Sequence, residues 1–425
     1  MKLSRIVIAS LLMAGALASC NGSNKPAKGK VRIGLICLHN TSSTYDKNFI
    51  DSMSAAANDL GDILDSDPII MTDVPESNEC YTAAKKLVSK GCNVIFADSF
   101  GHEPFMLQAA QEYPDVTFCH ATGTKAKISN VANYHNAFAS IYEGRYLAGY
   151  AAGLKLKAMV DGNQLAATNF DAQGNVKLGY VGAFPYAEVV SGYTSWFLGV
   201  KEVVSNIVMD VTFTSSWYDV EAEKAGVVTL ANRGAALISQ HADSMGAPGE
   251  CETRGIPNVT YNVPTDQACP NTYVAYSKID WAPYYKTVAR AVAKGEAIEG
   301  EVNNNYTGTL GTGSVIYAAK DAAAQTAIDA VKAELVAGTR KVFDCSKFTV
   351  RNAKADTSEF SKAAYITMDA DGHLTNYLAD VDDHGDYVGE TNVIKTEGGI
   401  TFFNESALRS APYFDIAIDG ITQLN

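Results

Sequence analysis

Positive charge is scarce in this chain. Its 425 residues carry 34 Lys and Arg against 47 Asp and Glu, a formal net charge of −13. That balance excludes the basic footprint that nucleic-acid phosphates require, and it argues equally against electrostatic docking on anionic lipid. Beyond the first twenty residues no apolar run is long enough to span a bilayer. None of the eight cysteines forms a Cys-x-x-Cys pair, which removes the usual redox and structural-zinc readings. Enzyme signatures are missing too: there is no Gly-x-Ser-x-Gly elbow, no His-Glu-x-x-His helix and no phosphate loop. Gly308-Thr309-Leu310-Gly311-Thr312-Gly313 is glycine-rich but lacks the dinucleotide spacing and reads as turns.

What is present begins with a leader. Lys2 and Arg5 precede the apolar stretch Ile6–Leu17, which ends in Leu17-Ala18-Ser19-Cys20. This resembles a bacterial lipobox, so residues 1–19 are expected to be a signal peptide and Cys20 the lipidation site. Residues 20–30 form a polar tether. Loss of Lys2 and Arg5 takes the net charge to −15. The remaining ~400 residues exceed what one core supports, so two lobes are expected.

Short apolar runs alternate with helical patterns. Strands are expected at 31–36, 68–72, 93–97 and 116–120, with helices over 47–60 and 80–90. In the second half strands are expected at 177–181, 211–214, 235–240 and 259–263. Continuous apolar strands joined by helices imply parallel sheets buried on both faces, an α/β fold. One echo links the halves: Lys90-Gly91 before a strand ending in Asp98-Ser99, and Arg233-Gly234 before one ending in Asp243-Ser244. Ligands of open α/β sheets bind beyond strand carboxyl ends, so two such lobes predict a cleft. Cys37, Cys92 and Cys119 lie inside strand-like runs and read as core residues. Cys251 and Cys269 are candidates for a disulfide across a loop, which spacing alone does not decide.

Several segments, in order, resemble the basic membrane protein family of substrate-binding lipoproteins, which includes purine-nucleoside and purine-base binders. They are Asn93–Gly101 (Asn-Val-Ile-Phe-Ala-Asp-Ser-Phe-Gly), Tyr113–Phe118, Glu143–Gly149, Gly179–Val189, Ser216–Asp219 and Gln240–Ser244. The first loop, Ser43–Ile50, mixes two family patterns: Asp46 and Phe49 fit one, Thr44 and Tyr45 the other, without its Trp. The resemblance covers residues 31–317 well. It implies a two-lobe periplasmic-binding-protein fold of type I with three crossovers. Lobe 1 is expected over 31–136 plus about 275–300. Lobe 2 is expected over 137–274 plus about 301–425, with an acidic C-terminal decoration. It also implies hinge closure on a small molecule, an ABC permease and ATPase as partners, a lipid anchor in the cell envelope, and no catalysis or cofactor.

A flat heteroaromatic ligand wants aromatic faces for stacking, worth ~0.5–1.5 kcal/mol beyond burial, and carboxylates for its N–H or ribose hydroxyls. Aromatic candidates after strands are Tyr45, Phe100, Phe184 and Trp217. The carboxylates are Asp46, Glu188, Asp219, Asp243 and Asp266; the position of Asp266 in Asn262–Asp266 rests on the family resemblance. His241 joins them through His241-x-Asp243, which lacks a third metal ligand and reads as ligand contact or a structural hydrogen bond. Lys278 and Trp281 open the returning lobe. His120 reads as a structural histidine. Asp380–Asp386 is a poor match to a calcium loop, because His384 stands where an oxygen ligand belongs. Two other readings stay open: a binding protein for a sugar or amino-acid-like solute, and a surface sensor or adhesin.

Overall fold

The computed structural model of the chain describes residues 7–8, 25–351, 366–379 and 392–425. It divides into two compact units. Unit 1 contains 1–139, 280–308 and 409–411; unit 2 contains 140–279, 309–408 and 412–425.

In chain order, unit 1 opens with β1 (Ile33–Ile36), α1 (Thr44–Asp59), β2 (Ile69–Met71), α2 (Asn78–Ser89), β3 (Val94–Ala97), α3 (Glu103–Glu112), β4 (Thr117–Ala121) and β5 (Tyr134–Ala139). Unit 2 follows with α4 (Ile141–Asp161), β6 (Val176–Gly182), α5 (Ala187–Val203), β7 (Ile207–Phe213), α6 (Val220–Asn232), β8 (Ile238–His241), α7 (Gly246–Arg254), β9 (Asn258–Tyr261) and β10 (Tyr273–Ile279). The chain returns to unit 1 for α8 (Ala282–Lys294) and β11 (Asn305–Gly308). It ends in unit 2 with β12 (Val315–Ala319), α9 (Ala322–Val336), short hairpins and β13 (Ile421–Gln423).

The two sheets share one plan. In unit 1 the order is β2-β1-β3-β4-β5-β11, with Val7–Ile8 beside β2 and Glu301–Val302 beside β11. In unit 2 it is β12-β10-β9-β8-β6-β7-β13. Counting strands as each unit introduces them, both run 2-1-3-4-5. The strands are parallel except for β12 against β10 and the Glu301–Val302 edge. Every residue of β1, β3 and β8 is buried, as expected for strands covered by helices on both faces. The sequence echo corresponds to β3 and β8, third in each order. Gly91 and Gly234, which lead into them, adopt φ of 85° and 95°, a left-handed turn that costs glycine nothing.

Helix α1 begins at Thr44, earlier than the periodicity suggests. Ser43 caps it, its side chain accepting from the Asp46 amide, so Tyr45 and Asp46 occupy the first helical turn rather than a loop. Strands β5, β10, β11, β12 and β13 are additional to those expected from the apolar runs. In unit 2, α4 and α5 cross at glycines. A Cβ on Gly149 would lie 2.1 Å from the Trp196 carbonyl oxygen, and one on Gly199 would lie 2.2 Å from that of Tyr146.

Residues beyond 340 build a second aromatic core in unit 2. Phe343 stacks on Phe414 with ring centroids 4.3 Å apart, and Phe403 meets Phe414 edge-on at 4.9 Å. The buried Glu405 carboxylate ties this core to α5. It accepts from the amides of Ser406, Tyr413 and Phe414 and from the Ser191 hydroxyl. Cys251 and Cys269 are buried free thiols, and Cys269 lies 3.1 Å from the Thr265 carbonyl oxygen. No helix among the described residues is long and apolar enough to cross a membrane. Cys20 and the Asp380–Asp386 segment lie outside the described residues.

Candidate functional site

In a sheet of order 2-1-3-4-5 the connections from strands 1 and 3 leave in opposite directions. This opens a crevice at their carboxyl ends, where open α/β sheets take ligands. That point lies between β1 and β3 in unit 1 and between β6 and β8 in unit 2.

At the unit 1 point, the segments after β1 and β3 bring Cys37, Asp46 and Asp98 together. One ligand-type atom from each lies within 4.8 Å of the others, and all three residues are buried. Asp46 accepts from the His39 amide at 2.7 Å and the Ser43 hydroxyl at 2.5 Å. Burial alone would raise its carboxyl, but hydrogen bonds from His39 and Ser43 outweigh that and hold it below the usual carboxylate range. Asp98 accepts from the Leu38 amide at 3.1 Å, while its Oδ2 has no donor. Burial, and then the Asp46 charge, push the Asp98 carboxyl well above its ordinary value. The pair is thus one carboxylate and one neutral acid. A cation among these three atoms would have to displace that proton and take up the Cys37 thiol, which burial pushes far toward its neutral form.

Asp46 therefore points inward, its oxygens engaged within unit 1. Tyr45 is half-buried, its hydroxyl donating to the Asp98 carbonyl at 2.8 Å. Phe100, 38% exposed, opens a short 3-10 turn after β3. Trp281 is 3% exposed and sits in the unit 1 core, stacked on Phe49 at 4.4 Å with Phe138 edge-on at 6.1 Å. His120 is buried, with Nε2 2.7 Å from the Ser99 carbonyl oxygen.

At the unit 2 point, three aromatic rings gather on the segments after β6 and β7. Phe184 and Tyr186 stack at 5.1 Å with an interplanar angle of 11°. Trp217 meets Phe184 edge-on at 5.0 Å and Tyr186 tilted at 6.0 Å. The Trp217 carbonyl accepts from the Asp243 amide at 2.9 Å, which ties this group to the end of β8. Ser215, at φ 58°, turns the chain out of β7 toward Trp217. Beside the rings, His241 Nε2 lies 3.0 Å from Glu188 Oε1. The approach is an ion-pair distance but off the line of a hydrogen bond, and Oε1 has no hydrogen-bond donor.

The remaining candidates scatter. Asp219 caps α6, accepting from the Glu221 and Ala222 amides. Asp243 is 5% exposed, with Asn262 Nδ2 3.5 Å from its Oδ1. Asp266 is exposed on the segment after β9. Lys278 lies within β10, in unit 2 rather than at the start of the returning segment. Tyr186 and Met245, both about two-fifths exposed and capping α5 and α7, stand outside the candidates expected from the sequence. Tyr186 follows Phe184-Pro185 directly, and an aromatic pair around a proline after a strand was a usable signal.

Residues 33–315, more than half of the chain, match the family model described as ABC transporter substrate-binding protein PnrA-like. A purine-binding protein of Brucella abortus is 30% identical over 236 residues, 56% of this chain and 61% of that protein. A putative ABC transporter glucose-binding protein of Haloferax volcanii is 30% identical over 203 residues, 48% of this chain and 46% of that protein. The chain thus spans roughly half to three-fifths of the length of these relatives. An ABC transporter solute-binding protein from Aeropyrum pernix has the same fold, with a TM-score of 0.59 and 13% identity over 74% of this chain and 93% of that one. The two doubly wound units are those of a periplasmic-binding-protein fold, and the chain belongs to the PnrA-like family of ABC transporter substrate-binding proteins.

Proposed function

We propose that this protein captures a purine nucleoside or nucleobase for an ABC importer, held outside the cytoplasm by lipid on Cys20. The observation that carries the ligand class is the ring group Phe184–Tyr186–Trp217 beside Glu188, Asp243 and His241. Stacked rings offer a face to a flat heterocycle, and the carboxylates accept from its edge N–H groups or from ribose hydroxyls. The relative named as purine-binding supports this reading. The lipid anchor rests on the leader sequence.

Isothermal titration with adenosine, guanosine, adenine, guanine and glucose tests it. At least one purine is expected to bind, and Trp217→Ala is expected to weaken it at least ~10-fold, about 1.4 kcal/mol. Unchanged affinity in a folded Trp217→Ala variant would remove Trp217 from the site. A second reading has its own support, because sugars also stack on aromatics and donate hydroxyl hydrogen bonds to carboxylates, and one relative is named as glucose-binding. Glucose binding with no purine response would select it.

A further inference from the structure

Unit 2 also holds a buried cation. Arg145, on α4, is 0% exposed. Its Nη2 donates to the Tyr180 hydroxyl and, at 2.9 Å, to the carbonyl of Gln240. Its guanidinium lies 4.9 Å from the Tyr261 ring centroid and 5.5 Å from that of Tyr180. Nε and Nη1 have no acceptor. A buried guanidinium with two nitrogens lacking acceptors is costly, and cation–π contact with two rings offsets part of that cost.

Two of these contacts adjoin His241, and the third stands on the strand paired with it. Gln240 precedes it in β8, and Tyr261 packs against its ring edge-on at 4.8 Å. Tyr180 stands on β6, whose Gly182 pairs with His241 in the sheet. Gly192 of α5 leaves the imidazole its space, since a Cβ there would come within 2.9 Å of Nδ1. His241 Nδ1, Tyr261 Oη and Gln240 Nε2 are likewise buried without partners. Among the described residues, the charged and titratable groups around His241 and Glu188 include Arg145 from α4, Tyr180 from β6, Asp243 after β8 and Tyr261 from β9.

We propose that Arg145 is the positioning residue of the unit 2 site: it holds His241, and through it Glu188, so that the donor-less Glu188 oxygen meets an N–H or O–H group of the ligand. The ligand part of this statement rests on the proposed function; the positioning part does not. The site then selects for hydrogen-bond donors at the ligand edge, as on a nucleobase amine or a ribose, and against carboxylates.

The test uses the ligand-free protein first. Imidazole 15N NMR signals of His241, assigned by their loss in His241→Gln, are expected to shift or broaden in Arg145→Met and to return partway in Arg145→Lys. Tyr180→Phe, which removes one acceptor of Nη2, is the second variant should Arg145→Met fail to fold, and a smaller shift is expected. Adenosine is then expected to bind Arg145→Met about 10-fold more weakly than wild type, with Arg145→Lys between them. His241 signals that stay at their wild-type positions in the folded variants would overturn the positioning role. If wild type binds no purine, the proposed function fails, while the His241 signals still decide the role of Arg145.

Discussion

Asp98 and Asp46 meet in a corner that water does not reach, so only one of them can readily carry charge. The raised Asp98 carboxyl binds its proton more tightly in the folded state than in the unfolded one. Its contribution is fully present below the ordinary carboxylate value near 3.8 and is lost as pH rises through the higher folded value. Asp98→Asn keeps an acceptor for the Leu38 amide and replaces the titrating acid proton beside Asp46 with an amide N–H that does not titrate. Thermal denaturation is expected to show Asp98→Asn more stable than wild type at pH 8, with the gap closing toward pH 4; a gap of constant size would contradict the neutral-acid assignment. Glu405 follows the same sign. Burial lifts it from 4.5 to about 7 despite the amides that bond it. Stability from this group is present below pH 4.5 and lost as pH rises through 7. Wild type should therefore lose on the order of 3 kcal/mol relative to Glu405→Gln over that window, measured by urea unfolding at both ends. Neither acid was legible in the sequence as a buried group. Asp98 is visible in the sequence only as part of the Asp98-Ser99 echo at a strand end, and Glu405 lies in a stretch without strong periodicity.

Elements were legible where apolar residues ran together. β1, β3, β6, β8 and β9 are Val-, Ile- and Leu-bearing strands buried on both faces, and each lies within a few residues of its expected place. β5, Tyr134-His-Asn-Ala-Phe-Ala139, is fully buried yet carries neither Val nor Ile. Its Asn136 is satisfied by side-chain partners, with Oδ1 accepting from the Ala126 amide and Nδ2 donating to the Tyr134 hydroxyl. Such pairing is tertiary and leaves no periodic trace. β13 is three residues long and exists because β7 offers it an edge. The crossing of α4 and α5 is a sharper case. Gly149 and Gly199 stand mid-helix, where glycine costs stability locally, and contact of each Cα with the opposing backbone explains both. Gly149→Ala should cost about 2–3 kcal/mol by overpacking. Chemical denaturation measures this, and a neutral or stabilising change would mean that the helices separate freely there.

At the scale of the whole chain, the repeated 2-1-3-4-5 order places both sets of candidate groups at strand carboxyl ends. Alternation of strand and helix predicted that much, and the ordered family segments extended it. The division of labour among candidates was less legible. Spacing along the chain does not distinguish a carboxylate that caps a helix, as Asp219 does, from one beside stacked rings, as Glu188 is. Nor does it show that Trp281 turns into the core against Phe49 while Trp217 joins an aromatic group at a strand end. The central claim is that the ring group of unit 2 receives a purine. The most direct measurement is mass spectrometry, under denaturing conditions, of small molecules released from protein purified without residues 1–20, with a thermal-shift panel of purines, sugars and amino acids on the emptied protein. A stoichiometric purine base or nucleoside, or a purine-specific thermal shift, is the predicted result. A sugar or amino acid in its place, with no shift from any purine, would contradict it.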